Sequence, residues 1–96
     1  MHDTQVRKIN VTALFAAFKT YGVVRRITPL NFTLLTGEEY EVAVVRRSYA
    51  DRVGNSQHVH FVVQTKDHRY FDIVFDSQKM TWWLVIEIED PMIFRE

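Results

Sequence analysis

Residues 57–89 read QHVHFVVQTKDHRYFDIVFDSQKMTWWLVIEIE, and their two-residue period decides the fold. Val59, Phe61 and Val63 alternate with His58, His60, Val62 and Gln64. Phe71, Ile73 and Phe75 alternate with Tyr70, Asp72 and Val74. Met80, Trp82, Leu84, Ile86 and Ile88 alternate with Thr81, Trp83, Val85 and Glu87. Side chains on a strand point alternately to opposite faces, so this pattern predicts strands over 57–65, 69–76 and 80–89 with one almost wholly apolar face. A one-residue slip would turn that face to solvent, so turn length can be checked against register. A three-residue loop Lys66-Asp67-His68 sets Phe61 opposite Ile73 and His60 opposite Val74. A turn at Ser77-Gln78 sets Phe75 opposite Met80, Ile73 opposite Trp82, and Asp76 opposite Lys79 as an opposite-charge pair.

Working backward, Glu39–Arg46 alternates Tyr40, Val42 and Val44 with Glu41, Ala43 and Val45, and predicts another strand. Shorter strands are expected over 23–27, stopped by Pro29, and over 32–35, closed by Thr36-Gly37-Glu38. The polar stretch 47–56, ending Gly54-Asn55-Ser56, is too long for a tight turn and predicts a mobile loop. Val11, Leu14, Phe15 and Phe18 recur at i, i+3, i+4 and i+7, so a helix is expected over about 11–21, with Asn10 as N-cap and Gly22 as the left-handed residue after its end. The predicted class is therefore α+β: one N-terminal helix on a curved antiparallel β-meander of five to six strands, either lying across the sheet or plugging a partly closed barrel.

Ninety-six residues, 47% apolar and 14% aromatic, suit one domain spanning 1–96 with a single core. Twelve Lys and Arg balance twelve Asp and Glu, so no long-range field attracts nucleic acid or an anionic membrane. The absence of cysteine excludes disulfides, thiolate nucleophiles and cysteine-based metal sites. Residues 1–10 lack an apolar signal core and no run approaches the ~18 apolar residues of a membrane span, which predicts a cytoplasmic protein with no membrane partner.

Chemistry-bearing motifs are sparse. No Walker, G-x-G-x-x-G, G-x-S-x-G or H-E-x-x-H pattern is present, no cofactor is implied, and no catalytic residue can be assigned. His58-Val-His60 places two imidazoles about 7 Å apart on one strand face, within reach of a shared metal, and the expected register brings Asp72 or Asp76 from the neighbouring strand near them as a further ligand. The pair resembles the two-histidine start of the cupin metal motif over a few residues. Gln64 and Thr65 stand where that motif carries its Glu, and its glycines are absent. Solvated sheet histidines hydrogen-bonded to carboxylates are the plainer reading. Arg25, Arg26, Arg46, Arg47, Arg52 and Arg69, with Tyr49, Tyr70 and Trp83, could track phosphates, but adjacent arginines on a strand point to opposite faces and dilute such a patch.

The second sheet face sets Trp83, Tyr70, Val62, Val74 and Val85 among His58, His60, Asp72 and Glu87, and is more apolar than a solvated face. The expected function is a non-enzymatic protein-interaction module or homodimer, with Trp83, Tyr70, Val62, Val74, Val85 and His60 as its binding residues. A small ligand-binding or metal-dependent enzyme using His58, His60 and Asp72 is the alternative, and weak nucleic-acid binding the third.

Overall fold

The computed structural model describes residues 7–17 and 26–89. Six strands run in order as β1 (Arg7–Phe15), β2 (Ile27–Leu34), β3 (Glu39–Val53), β4 (Ser56–Thr65), β5 (Tyr70–Asp76) and β6 (Thr81–Ile88). Each pairs antiparallel with the next and β6 meets β1, so the sheet closes into a barrel. The described residues are all-β.

The α+β expectation is thus corrected at residues 11–15, which form β1 rather than the start of a helix. Ile9 is buried and Val11 and Ala13 pack against the core, while Lys8, Asn10, Thr12 and Leu14 point out. The same residues satisfy a period of two as well as a helical stripe. The β-branched Ile9, Val11 and Thr12 fit the pleated surface, and pairing with β2 satisfies the backbone while completing the wall around the core. Asn10 is no cap; it sits opposite Thr33 in the ladder. Phe18, Gly22 and most of the strand expected over 23–27 lie outside the described residues.

β2 runs through Pro29 instead of stopping there. The register with β1 shifts between Thr12 and Ala13, so that Ala13 faces Pro29 and Leu30 is the extra residue of a bulge. A proline without a donor is tolerated at such a place. The polar stretch 47–56 is not a loop either. β3 continues to Val53, opposite Ser56, and Gly54-Asn55 is a two-residue turn. Gly54 has φ +62°, the positive value a II′ hairpin needs at its first central position.

The core holds Phe32, Phe61, Val63, Phe71, Ile73 and Leu84, with Tyr40, Phe75 and Trp82 around them. Phe71 meets Phe32 edge-on at 5.3 Å between centroids. The β4–β5 register is as expected, with Phe61 opposite Ile73 and His60 opposite Val74. The β5–β6 register is displaced by two residues, pairing Phe75 with Trp82 and Ile73 with Leu84. Its turn takes four residues, Ser77–Met80, with Met80 N–H bonded to the Asp76 carbonyl. A displacement of two keeps every side chain on its face, but Met80 leaves the core and is 65% exposed. Asp76 sits opposite Thr81 rather than Lys79 and is buried on the outer face beside Ser56 and the turn amides.

Bulges overturn three finer assignments. Register shifts beside Ala43 and Arg46 put Val45 against the core and leave Val44 outside. Another beside Asp72 sets Glu87 opposite the buried Phe71, and Ile86 and Ile88 on the outer face. Glu87 then closes one end of the barrel by taking two hydrogen bonds from Arg69, both 2.8 Å. The Arg69 guanidinium lies 5.0 Å from the Tyr40 ring and bonds its hydroxyl.

Candidate functional site

Among the described residues, two regions gather polar or apolar groups outside the core into one place. The first is the outer face of β3 to β6, where register aligns residues into transverse rows. Tyr49, His60, Val74, Trp83 and Lys8 form the central row. Asp51, His58, Asp76 and Thr81 flank it on one side; Arg47, Val62, Asp72 and Ile86 flank it on the other.

These rows join into two polar clusters. In one, the buried Asp76 carboxylate accepts the Ser56 hydroxyl and the amides of Gln78 (2.9 Å) and Lys79 (3.0 Å), and faces His58 Nε2 at 3.2 Å. The Ser56 hydrogen bond, then the Lys79 amide, hold its pKa down to about 2. In the other, His60 Nδ1 faces Asp72 at 3.5 Å and Nε2 faces Asp51 at 3.7 Å. Burial raises the Asp72 pKa against the opposing pull of His60. The Tyr49 phenol is raised by burial and then by Asp72 and Asp51.

Of the residues expected to bind a partner, Val62 and Val74 are 6% and 1% exposed and offer no surface. Trp83 is half-buried, with His58 edge-on at 5.2 Å, and Tyr70 is half-buried opposite Gln64 and Ile88. Val85 lies exposed at the β6 bulge, and His60 is engaged in its own cluster. His58 and His60 serve different carboxylates, and among the described residues no group of three or more His, Asp or Glu side chains is arranged to hold a metal. The arginines are dispersed: Arg69 caps the barrel end, Arg26 bonds the Ala17 carbonyl, and Arg47 lies 5.9 Å from the Tyr49 ring.

The second region is a cleft of about 510 Å³ where β1 leaves β6. Among the described residues the two strands pair at Arg7 with Leu84 and Lys8 with Trp83. Beyond Lys8 they splay. Ile9 and Val11 line one wall, Phe75 and Trp82 the other. Phe15, at the end of β1, reaches the cleft and meets Phe75 edge-on at 5.6 Å. Leu35 and Met80 enter from the β2–β3 and β5–β6 turns, and Lys8, Asn10 and Thr81 supply its polar groups.

Phe15, Leu35 and Met80 are 51%, 78% and 65% exposed. Sequence reading assigned Phe15 to a helix stripe, Leu35 to a strand end and Met80 to the core. The usable signal was an apolar residue directly beside turn residues, as in Leu35-Thr36-Gly37 and Lys79-Met80, where a core seldom reaches.

Comparison with protein-family models, with curated proteins and with solved structures finds no match for this chain.

Proposed function

We propose that this chain is a non-enzymatic binding module that receives an apolar group of its partner in the cleft between β1 and β6. The observation that carries this reading is the convergence of three exposed large apolar side chains, Phe15, Leu35 and Met80, on one cleft. Leaving such groups together in water forgoes burial free energy, and contiguous exposed apolar surface on a small protein marks a contact site. The cleft also has the volume and mixed lining usual for a ligand site. Met80 adds a second sign. Its φ of +57° is uncommon for a residue with a Cβ, and the turn that imposes it presents a flexible thioether at the cleft.

The test is titration with a neutral solvatochromic dye such as Nile red. Saturable one-to-one binding, lost in Leu35→Glu and Met80→Glu while their melting temperatures stay near that of the parent, is the expected result. Both side chains are exposed, so these substitutions leave the core intact. No saturable binding, or binding that ignores both substitutions, rejects the cleft as the contact site.

The outer face supports a second reading, in which a second copy or another protein docks around Trp83, Tyr70 and Val85. Exposed Val85 and Ile86 beside half-buried Trp83 favour it. Light scattering coupled to size exclusion tests it: a concentration-dependent dimer abolished by Trp83→Ala supports the face, and a monomer at all concentrations, with no partner captured, rejects it.

A further inference from the structure

We propose that the cleft between β1 and β6 binds a free single-chain amphiphile with an anionic head, of the fatty carboxylate class, with Lys8 at the rim receiving the carboxylate. This deepens the binding-module reading above and rests on it.

Charge and shape select this occupant. Among the described residues that line the cleft, one carries a charge, Lys8, and none is Asp or Glu. Lys8 is exposed and has no carboxylate partner among the described residues, whereas Lys66 is paired with Glu41, and Arg69 with Glu87. A cation beside an apolar cavity favours an anion that arrives with its own apolar body, because head and chain then reach their partners together. Lys8 stands opposite Trp83, where the described pairing of β1 with β6 gives way to the opening, and it lines the cleft there. Asn10, two residues on, and Thr81, on the facing strand, add hydrogen-bonding groups for the head. Below them the side chains of Ile9, Val11 and Phe75 and the ring face of Trp82 offer apolar surface to the chain.

The volume suits one chain. About 510 Å³ lies toward the lower part of the ~300–1,000 Å³ range of small-ligand sites. Each methylene buried there strengthens binding by about fourfold, so affinity rises with chain length until the cleft is full and then levels. Trp82 in the wall provides an intrinsic reporter of occupancy.

The test compares octanoate, decanoate, dodecanoate and dodecanol on the full chain, below their micellar concentrations, by calorimetry and tryptophan fluorescence. Expected are one site, a steep dependence on chain length, and a preference for dodecanoate over dodecanol. Lys8→Gln is expected to weaken dodecanoate by about fivefold, the worth of a rim ion pair, and to leave dodecanol unchanged. Lys8→Glu is expected to reverse the preference toward dodecylamine.

If dodecanol and dodecanoate bind equally and Lys8→Gln changes neither, the anionic-head assignment is overturned while the binding-module reading stands. If no amphiphile binds, both fall. Binding to phosphatidylserine vesicles without binding of monomeric dodecanoate also overturns the assignment, because the cation would then serve a lipid surface.

Discussion

The imidazole of His60 lies flat on the ring of Tyr49, with centroids 4.4 Å apart and 8° between planes. The stack crosses from β4 to β3 and holds the imidazole edges toward Asp72 and Asp51. A neutral imidazole has one N–H and can satisfy one carboxylate; an imidazolium can satisfy both. The buried Nδ1 of His60 and Oδ1 of Asp72 have no hydrogen-bond partner.

Asp72 follows from this geometry. Burial raises its folded pKa above the unfolded value, so the native state holds the proton more tightly. The cost of its charge is absent below the unfolded pKa and appears as pH rises through the folded pKa. Asp72→Asn should therefore raise the melting temperature at pH 7, with the gain shrinking as pH falls and gone below the unfolded carboxyl pKa, near 4. Thermal melts across that range decide it; a lower midpoint at pH 7 would count against the reading.

Asp76 behaves oppositely. Its folded pKa of about 2 lies below the ordinary carboxyl value because Ser56 and the turn amides stabilise the anion. That stability is complete above the unfolded pKa, near 4, and is lost as pH falls through about 2. Asp76→Asn should flatten the acid limb of the stability profile, and Asp76→Ala should lower the midpoint at every pH by freeing the Gln78 and Lys79 amides. An unchanged acid limb in Asp76→Asn would refute the assignment.

Phe32 is fully buried and touches both Phe71 and Tyr40, so Phe32→Ala should cost about 3–5 kcal/mol. For a domain of this size that is a large fraction of the total. Urea denaturation gives the measurement, and a loss under about 1 kcal/mol would mean that β2 does not complete the core.

The Gly54 turn offers a backbone test. A Cβ there meets nothing within 4 Å, so Gly54→Ala pays only for φ +62° and should cost about 1–2 kcal/mol. A D-alanine at the same position should restore stability. Loss in both forms would indicate a steric cause and a different turn.

Residues 57–76 were legible because their alternation is strict and a three-residue loop fits between them; Phe61 opposite Ile73 follows from pattern alone. The β6 faces were legible as far as Leu84. Past it the bulge at Asp72/Ile73 inverted them, since an unpaired residue changes parity without changing composition. The outer row was legible as a mixture of His60, Val74 and Trp83. The burial of Val62 and Val74 was not, because it depends on the neighbours each side chain meets.

The local alternation of apolar and polar residues by itself determined that 57–89 is sheet and that Phe61, Phe71, Ile73 and Phe75 face the interior, and composition alone excluded cysteine chemistry from these 96 residues. Only the tertiary structure decided that residues 7–15 join as a strand, that 39–53 runs unbroken, and that Phe15, Leu35 and Met80 meet at one cleft. A short apolar segment such as 9–15 satisfies helical and strand periods alike. Which one forms depends on whether a neighbouring edge is present to take its backbone hydrogen bonds, and here β2 supplies that edge.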